Sequence, residues 1–113
     1  MRIEKPWGYE EIWAKTDGYV GKVIFINPGH RLSKQFHRQK EETVYVLEGV
    51  LINYDENDKT TLHYPGESLH IPPWTTHRFC ASPRASVKIM EVSTNYLDDV
   101  VRLEDDYDRA EKG

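Results

Sequence analysis

Gly29-His30-Arg31-Leu32-Ser33-Lys34-Gln35-Phe36-His37-Arg38-Gln39-Lys40-Glu41-Glu42, continuing through Thr43-Val44-Tyr45-Val46-Leu47 to Glu48-Gly49, is the stretch that decides the reading of the chain. Gln35 and His37 are two residues apart, so an extended backbone turns both side chains to one face. Arg31 and Ser33 share that parity. Glu42 shares the parity of Val44 and Val46, a candidate inward face, and its neighbour Glu41 then reads as a solvated charge. A second stretch, Gly66-Glu67-Ser68-Leu69-His70-Ile71-Pro72-Pro73-Trp74-Thr75-Thr76-His77, delivers His77 to the start of a further strand through a rigid Pro-Pro turn. Two imidazoles, one carboxylate and one amide suit a divalent ion of borderline softness. They leave it residual positive charge and room for water or substrate, whereas a closed structural site would typically use cysteines. Taken singly, each histidine reads as an ordinary strand residue. Taken together, Gln35, His37, Glu42 and His77 predict a metal set. Gln35 is chemically the weakest member, and holding a bound water is its alternative role. One divalent ion is expected, zinc first, with manganese, cobalt, nickel and iron as alternatives.

Around these stretches the chain reads as short β-type runs cut by turn residues. The pattern predicts strands over 9–14, 20–26, 43–47, 50–54, 60–64, 68–71, 78–81 and 86–92. Asn27-Pro28-Gly29, Pro65-Gly66, Pro72-Pro73 and Ser82-Pro83 mark the turns. Regular short strands with no helical period between them predict an all-β sandwich or barrel. Leu97, Val100, Val101 and Leu103 predict one short amphipathic helical turn in a C-terminal tail that packs across the barrel.

The length, 113 residues, fits a single domain over 1–113. With 38% hydrophobic and 30% charged residues, the chain is globular rather than disordered. No apolar run approaches the roughly 18 residues of a membrane span. The N-terminal Met1-Arg2-Ile3-Glu4-Lys5-Pro6 lacks the apolar core of a leader, and the lone Cys80 allows no internal disulfide. A cytoplasmic protein is expected. Residues 98–113 hold seven of the nineteen acids and three of the fifteen bases, which leaves twelve of each sign over 1–97. That charge pattern lacks the basic footprint of a nucleic-acid binder, and its acidic tail would be repelled by anionic lipid. So small a core is marginal alone. A homodimer that extends the sheet by edge pairing through residues 7–13 is therefore expected.

The spacing Gly29, five residues, Gln35-x-His37, four residues, Glu42, six residues, Gly49 resembles the first cupin motif, with Gln in place of its usual first His. Gly66, five residues, Pro72 and then His77 resembles the second, with Trp74 where Gly is common. The Gln is a feature of the mannose-6-phosphate isomerase branch. Lys5-Pro6-Trp7-Gly8-Tyr9-Glu10, Glu91-Val92 and the stretch from Asp99-Val100-Val101-Arg102 through Leu103-Glu104-Asp105-Asp106-Tyr107 are similar to the type II form of that branch. There the isomerase is usually the C-terminal domain of a mannose-1-phosphate guanylyltransferase. The resemblance runs from about Lys5 to Arg109. It implies a small double-stranded β-helix, or jelly-roll, barrel. It also implies a metal-dependent interconversion of mannose-6-phosphate and fructose-6-phosphate through a cis-enediolate. No phosphate-cradling Gly-rich loop is present, so no nucleotidyl transfer is inferred. Lys40 stands where that branch has Arg, and Thr43-Val44 replaces its His-Trp.

Roles for the charged residues follow. Arg31, by parity, faces the ligands and could meet a phosphate, or could form a salt bridge at the barrel rim. Lys40, two before Glu42, could neutralise an enediolate, or could be a surface lysine. Arg102, among acids, could close over the site as a substrate contact or proton handler, or could belong to a purely structural clamp. The expected ligand is a small sugar phosphate. The alternatives are a non-catalytic cupin binding a small sugar or acid, and another metal-dependent cupin enzyme such as a nucleotide-sugar epimerase.

Overall fold

The computed structural model describes residues 1–109, so Glu111 and Lys112 of the acidic segment lie outside the described residues. Every regular element is a strand: β1 Arg2–Lys5, β2 Gly8–Lys15, β3 Val20–Ile26, β4 Lys34–Phe36, β5 Glu42–Glu48, β6 Leu51–Tyr54, β7 Thr60–His63, β8 Ser68–Ile71, β9 Arg78–Cys80, β10 Val87–Ser93 and β11 Val101–Glu104. Six form one antiparallel sheet in the order β1-β2-β3-β10-β5-β8. The second layer is built from β7-β6-β9 and β11-β4, joined by single bridges between Arg31 and Cys80 and between Gln35 and His77. No helix among the described residues is long and apolar enough to cross a membrane.

The two layers enclose one core, and period-two alternation explains its content. On β10, Val87, Ile89, Glu91 and Ser93 are buried; on β5, Glu42, Val44 and Val46 are buried. Antiparallel pairing brings the start of β3, the end of β10 and the start of β5 to the same end of the barrel. Glu91 lies opposite Lys22 on one side, and Ser93 lies opposite Glu42 on the other. Apolar residues fill the remainder: Ile26, Leu51, Phe79, Val87 and Ile89 form the dry half, with Trp7 packed among them. One end of the barrel is therefore oil and the other is polar. The glycine that ends the first motif has a steric cause. Gly49 has φ +78°, and a Cβ there would stand 2.2 Å from the Ser86 carbonyl oxygen.

Two expectations are corrected. The C-terminal segment forms a strand rather than a helical turn: Val101 pairs with Phe36 and Arg102 with Gln35. The β-branched pair Val100-Val101 favours extended backbone, and β4 otherwise has a free edge to fill. Nor are residues 7–13 an open edge. β1 folds back along β2 from Lys5 opposite Gly8 to Arg2 opposite Glu11, and Trp7 is buried in the core.

A candidate metal and anion site

Strand geometry assembles the site at the polar end. Glu42 is the first inward residue of β5, His37 follows β4 directly, and His77 directly precedes β9. One ligand atom from each of His37, Glu42 and His77 lies within 4.8 Å of the others, and all three residues are buried. His37 Nδ1 donates to the Asp99 carbonyl at 2.5 Å, and His77 Nδ1 donates to the Thr75 carbonyl at 2.9 Å. A carbonyl can only accept, so both Nδ1 atoms carry the proton. Both Nε2 atoms are thereby left as lone-pair donors aimed at Glu42. They lie 3.6 and 3.0 Å from its Oε1, but neither contact has hydrogen-bond alignment. His37 Nε2, His77 Nε2 and Glu42 Oε1 therefore remain buried without a partner. Three convergent unsatisfied atoms in a protein interior are costly unless something fills the gap between them. Their chemistry, N, N and O⁻, fits a divalent transition metal. Gln35 lies beside this group; its Oε1 accepts from Ser33 Oγ at 3.0 Å.

A second charged layer surrounds the first. Lys40 Nζ is 3.3 Å from Glu42 and 3.3 Å from Glu91, all three side chains being buried. Burial alone would lower the Lys40 ammonium pKa, but the two carboxylates outweigh it and raise it. Two carboxyls around one lysine cannot both ionise cheaply, and they split. Burial opposes ionisation of Glu42, yet a hydrogen bond from Glu91, the proximity of both imidazoles and the Lys40 charge hold its carboxyl well below the usual range. Burial, then the Glu42 charge, pushes Glu91 up to about 8.

A cavity of about 110 Å³ opens beside these residues. Gln35, His37, Lys40, Glu91 and Arg102 line it, and Glu10 and Lys22 reach it from β2 and β3. Five basic side chains (Lys5, Lys22, Lys40, Arg102 and Arg109) face two acids, Glu10 and Glu91. Arg102 Nε is buried and unpartnered. Lys5 and Lys22 pair with Glu10, Lys40 with Glu42 and Glu91, and Arg109 with Asp105, which among the described residues leaves Arg102 as the lining cation without an acidic partner. Arg31 is not part of the lining. The extended register breaks after Arg31, so Leu32 and Ser33 both face the cavity, and the Arg31 guanidinium binds Asp106 through two bonds of 2.7 and 3.0 Å. Position 43, where the isomerase branch has His, is half-buried between the buried inward residues Glu42 and Val44, so its side chain points away from the cavity.

Reasoning from the sequence missed Glu91, Asp99, Lys22 and Glu10. Glu91 and Lys22 did leave a signal: each is a charge at an inward position of an otherwise apolar strand. Asp99 left none, because its partners lie about sixty residues away in the chain. Its carboxylate accepts the backbone N–H groups of Arg38, Gln39 and Lys40.

Comparison with known proteins places this geometry. Residues 1–105 match the family model described as mannose-6-phosphate isomerase C-terminal. The chain belongs to that family. Relatives of this mannose-6-phosphate isomerase C-terminal domain include the alginate biosynthesis protein AlgA of Pseudomonas aeruginosa, 34% identical over 96% of this chain and 23% of that protein. The mannose-1-phosphate guanylyltransferase ManC of Salmonella typhimurium is likewise 34% identical, over 96% of this chain and 23% of its own length. The chain thus spans about a quarter of the curated relatives it matches. Among solved structures, a cupin-like protein from Thermotoga maritima superposes with TM-score 0.77 at 18% identity, covering 93% of this chain and 85% of that one. KdgF from Halomonas sp. gives 0.74 at 20% identity, covering 87% and 91%. At such identities the likeness establishes the fold, a cupin double-stranded β-helix.

Proposed function

We propose that this domain is a metal-dependent sugar-phosphate isomerase interconverting mannose-6-phosphate and fructose-6-phosphate. The observation that carries the reading is the set of three unpaired ligand atoms of His37, Glu42 and His77 on the wall of a cation-rich cavity. The family match supports the sugar-phosphate class. A divalent ion held by those three side chains, with Gln35 adjacent, would supply Lewis acidity toward a carbonyl and its neighbouring hydroxyl. Arg102 and Lys22 would hold the phosphate, a task for which Arg31 is already committed to Asp106. Glu91 and Lys40, coupled through one buried contact, would move or neutralise charge as a proton passes between adjacent carbons. The cavity lies below the roughly 300–1,000 Å³ of drug-sized sites, which favours a sugar phosphate over a nucleotide sugar. The chain is expected to work in the cytoplasm and to be a homodimer.

The test is conversion of mannose-6-phosphate to fructose-6-phosphate by metal-stripped chain resupplied in turn with zinc, manganese, cobalt and nickel. Turnover that needs the metal and whose KM rises in Arg102→Ala is the expected result. Saturable binding of the sugar phosphate with no turnover under any metal would overturn the isomerase and leave a binding module.

A further inference from the structure

The segment after β11 carries an arginine that is held more firmly than a terminal residue needs to be. Asp105 accepts three bonds from Arg109: from its backbone N–H at 2.7 Å, from Nε at 2.8 Å and from Nη2 at 3.2 Å. The Asp105 side chain has no exposed surface, and that of Arg109 is 26% exposed. Taking a carboxylate out of water is costly unless a partner compensates it, and Arg109 is the one side chain that Asp105 binds among the described residues. The turn that closes this contact runs through Asp108, whose φ of +61° lies in the left-handed region that a residue with a Cβ adopts at a cost. Tyr107 secures the other side. Its hydroxyl and His30 Nδ1 share a hydrogen bond of 2.7 Å, its ring packs against the core, and the Arg109 guanidinium carbon lies 5.7 Å from the ring centre.

Arg109 lines the same cavity as Arg102. Asp105 occupies the side of the guanidinium formed by Nε and Nη2. The end of the group, with one N–H each from Nη1 and Nη2, has no partner among the described residues. Those parallel N–H groups form a fork that binds two oxygens of one oxyanion. We propose that Arg109 is a specificity-determining residue that grips two phosphoryl oxygens of the substrate end-on, with Asp105 as the positioning residue that aims it. The inference rests on the sugar-phosphate reading and adds direction to charge. Arg102, without an acidic partner, supplies the net positive charge. The Arg109–Asp105 pair is neutral as a whole and supplies a donor fork whose rotamer is fixed before the ligand arrives, so little freedom is lost on binding. A sugar hydroxyl offers one oxygen and would leave half of the fork unpaired, so the fork favours the phosphorylated sugar over the plain one.

The test is calorimetric binding of mannose-6-phosphate, with inorganic phosphate as a second probe, to the full chain. The proteins are wild type, Arg109→Lys, Arg109→Ala, Asp105→Asn and the Asp105→Asn/Arg109→Ala double variant, each checked for native fold by circular dichroism. Lysine keeps the charge and loses the fork, so Arg109→Lys is expected to bind mannose-6-phosphate at least about tenfold more weakly. Asp105→Asn is expected to weaken binding in wild type and to add nothing in Arg109→Ala, because it acts only through the arginine. An arginine that merely staples the tail would be replaced without loss by a lysine that still pairs with Asp105. Wild-type affinity in Arg109→Lys, additive losses in the double variant, or a wild type that binds neither probe would each overturn the proposal. Weakened binding in Arg109→Lys, together with no turnover by wild type under any metal, would uphold the proposal and overturn the isomerase.

Discussion

The Nδ1 proton of His37 is donated to the backbone carbonyl of Asp99 at 2.5 Å, and that bond ties the C-terminal segment to the centre of the site. The Asp99 carboxylate holds the same region a second time, accepting the N–H groups of Arg38, Gln39 and Lys40 at 3.1, 2.6 and 2.9 Å. Outer partners of this kind fix the ring orientation of a metal-ligating histidine. Asp99→Ala keeps that carbonyl but loses the carboxylate clamp that positions it, and is expected to weaken zinc affinity toward the lower end of the about 10–100-fold range. Asp99→Asn, which keeps one acceptor oxygen, is expected to lose less. Calorimetric zinc titration checks the ranking, and faster hydrogen exchange at residues 38–40 of Asp99→Ala supplies an independent readout. Equal affinities in all three proteins would contradict it.

Glu91 gives the metal-free chain a pH dependence of definite sign. Its carboxyl is pushed up to about 8, first by burial and then by the Glu42 charge. The folded state thus holds this proton more tightly than the unfolded chain. The stabilisation is complete below the ordinary carboxyl range and is lost as pH rises toward about 8. Melting temperatures of metal-free wild type should fall over that window relative to Glu91→Gln, whose amide cannot ionise. Parallel curves for the two proteins would contradict the assignment.

Trp74 explains one departure from the motif. Its φ is +62°, a conformation glycine adopts without penalty, which accounts for the glycine common at this position. The indole stacks on Phe36 with centroids 5.5 Å apart, and the Trp74 N–H bonds the His37 carbonyl at 2.6 Å. Both Trp74→Ala and Trp74→Gly lose the stack, but only alanine keeps the backbone strain. Alanine should be the less stable of the two by about 1 kcal/mol in chemical denaturation.

Among the described residues Arg102 is the cavity cation without an ion pair, and its buried Nε lacks a partner. Its removal should raise KM for a phosphorylated sugar at least about tenfold and leave binding of the unphosphorylated sugar unchanged, since a charge-assisted contact is worth about 1.5–3 kcal/mol. Titration of both ligands against Arg102→Ala separates a phosphate contact from a structural clamp, which would affect both alike.

Much of the barrel is legible in the chain because strand alternation and turn residues are local signals. The strands expected over 20–26 and 68–71 coincide with β3 and β8, whose ends Asn27-Pro28-Gly29 and Pro72-Pro73 mark. β1 and β11 are fixed instead by their pairing with β2 and β4, which no local signal carries. In the site, the parity of Gln35 and His37 is a local fact, whereas the Asp99 carbonyl and the Glu91 carboxyl reach it by non-local pairing. Arg31 shows the limit of parity: one break in the register after it sends its guanidinium to Asp106.

The central claim is that His37, Glu42 and His77 together hold one divalent ion. The most direct measurement is metal content per chain by elemental analysis after equilibrium dialysis against zinc, for wild type and His77→Ala. One ion per wild-type chain and far less than one in the variant is the predicted result. Equal occupancy in both proteins, or none in a folded wild type, would contradict it.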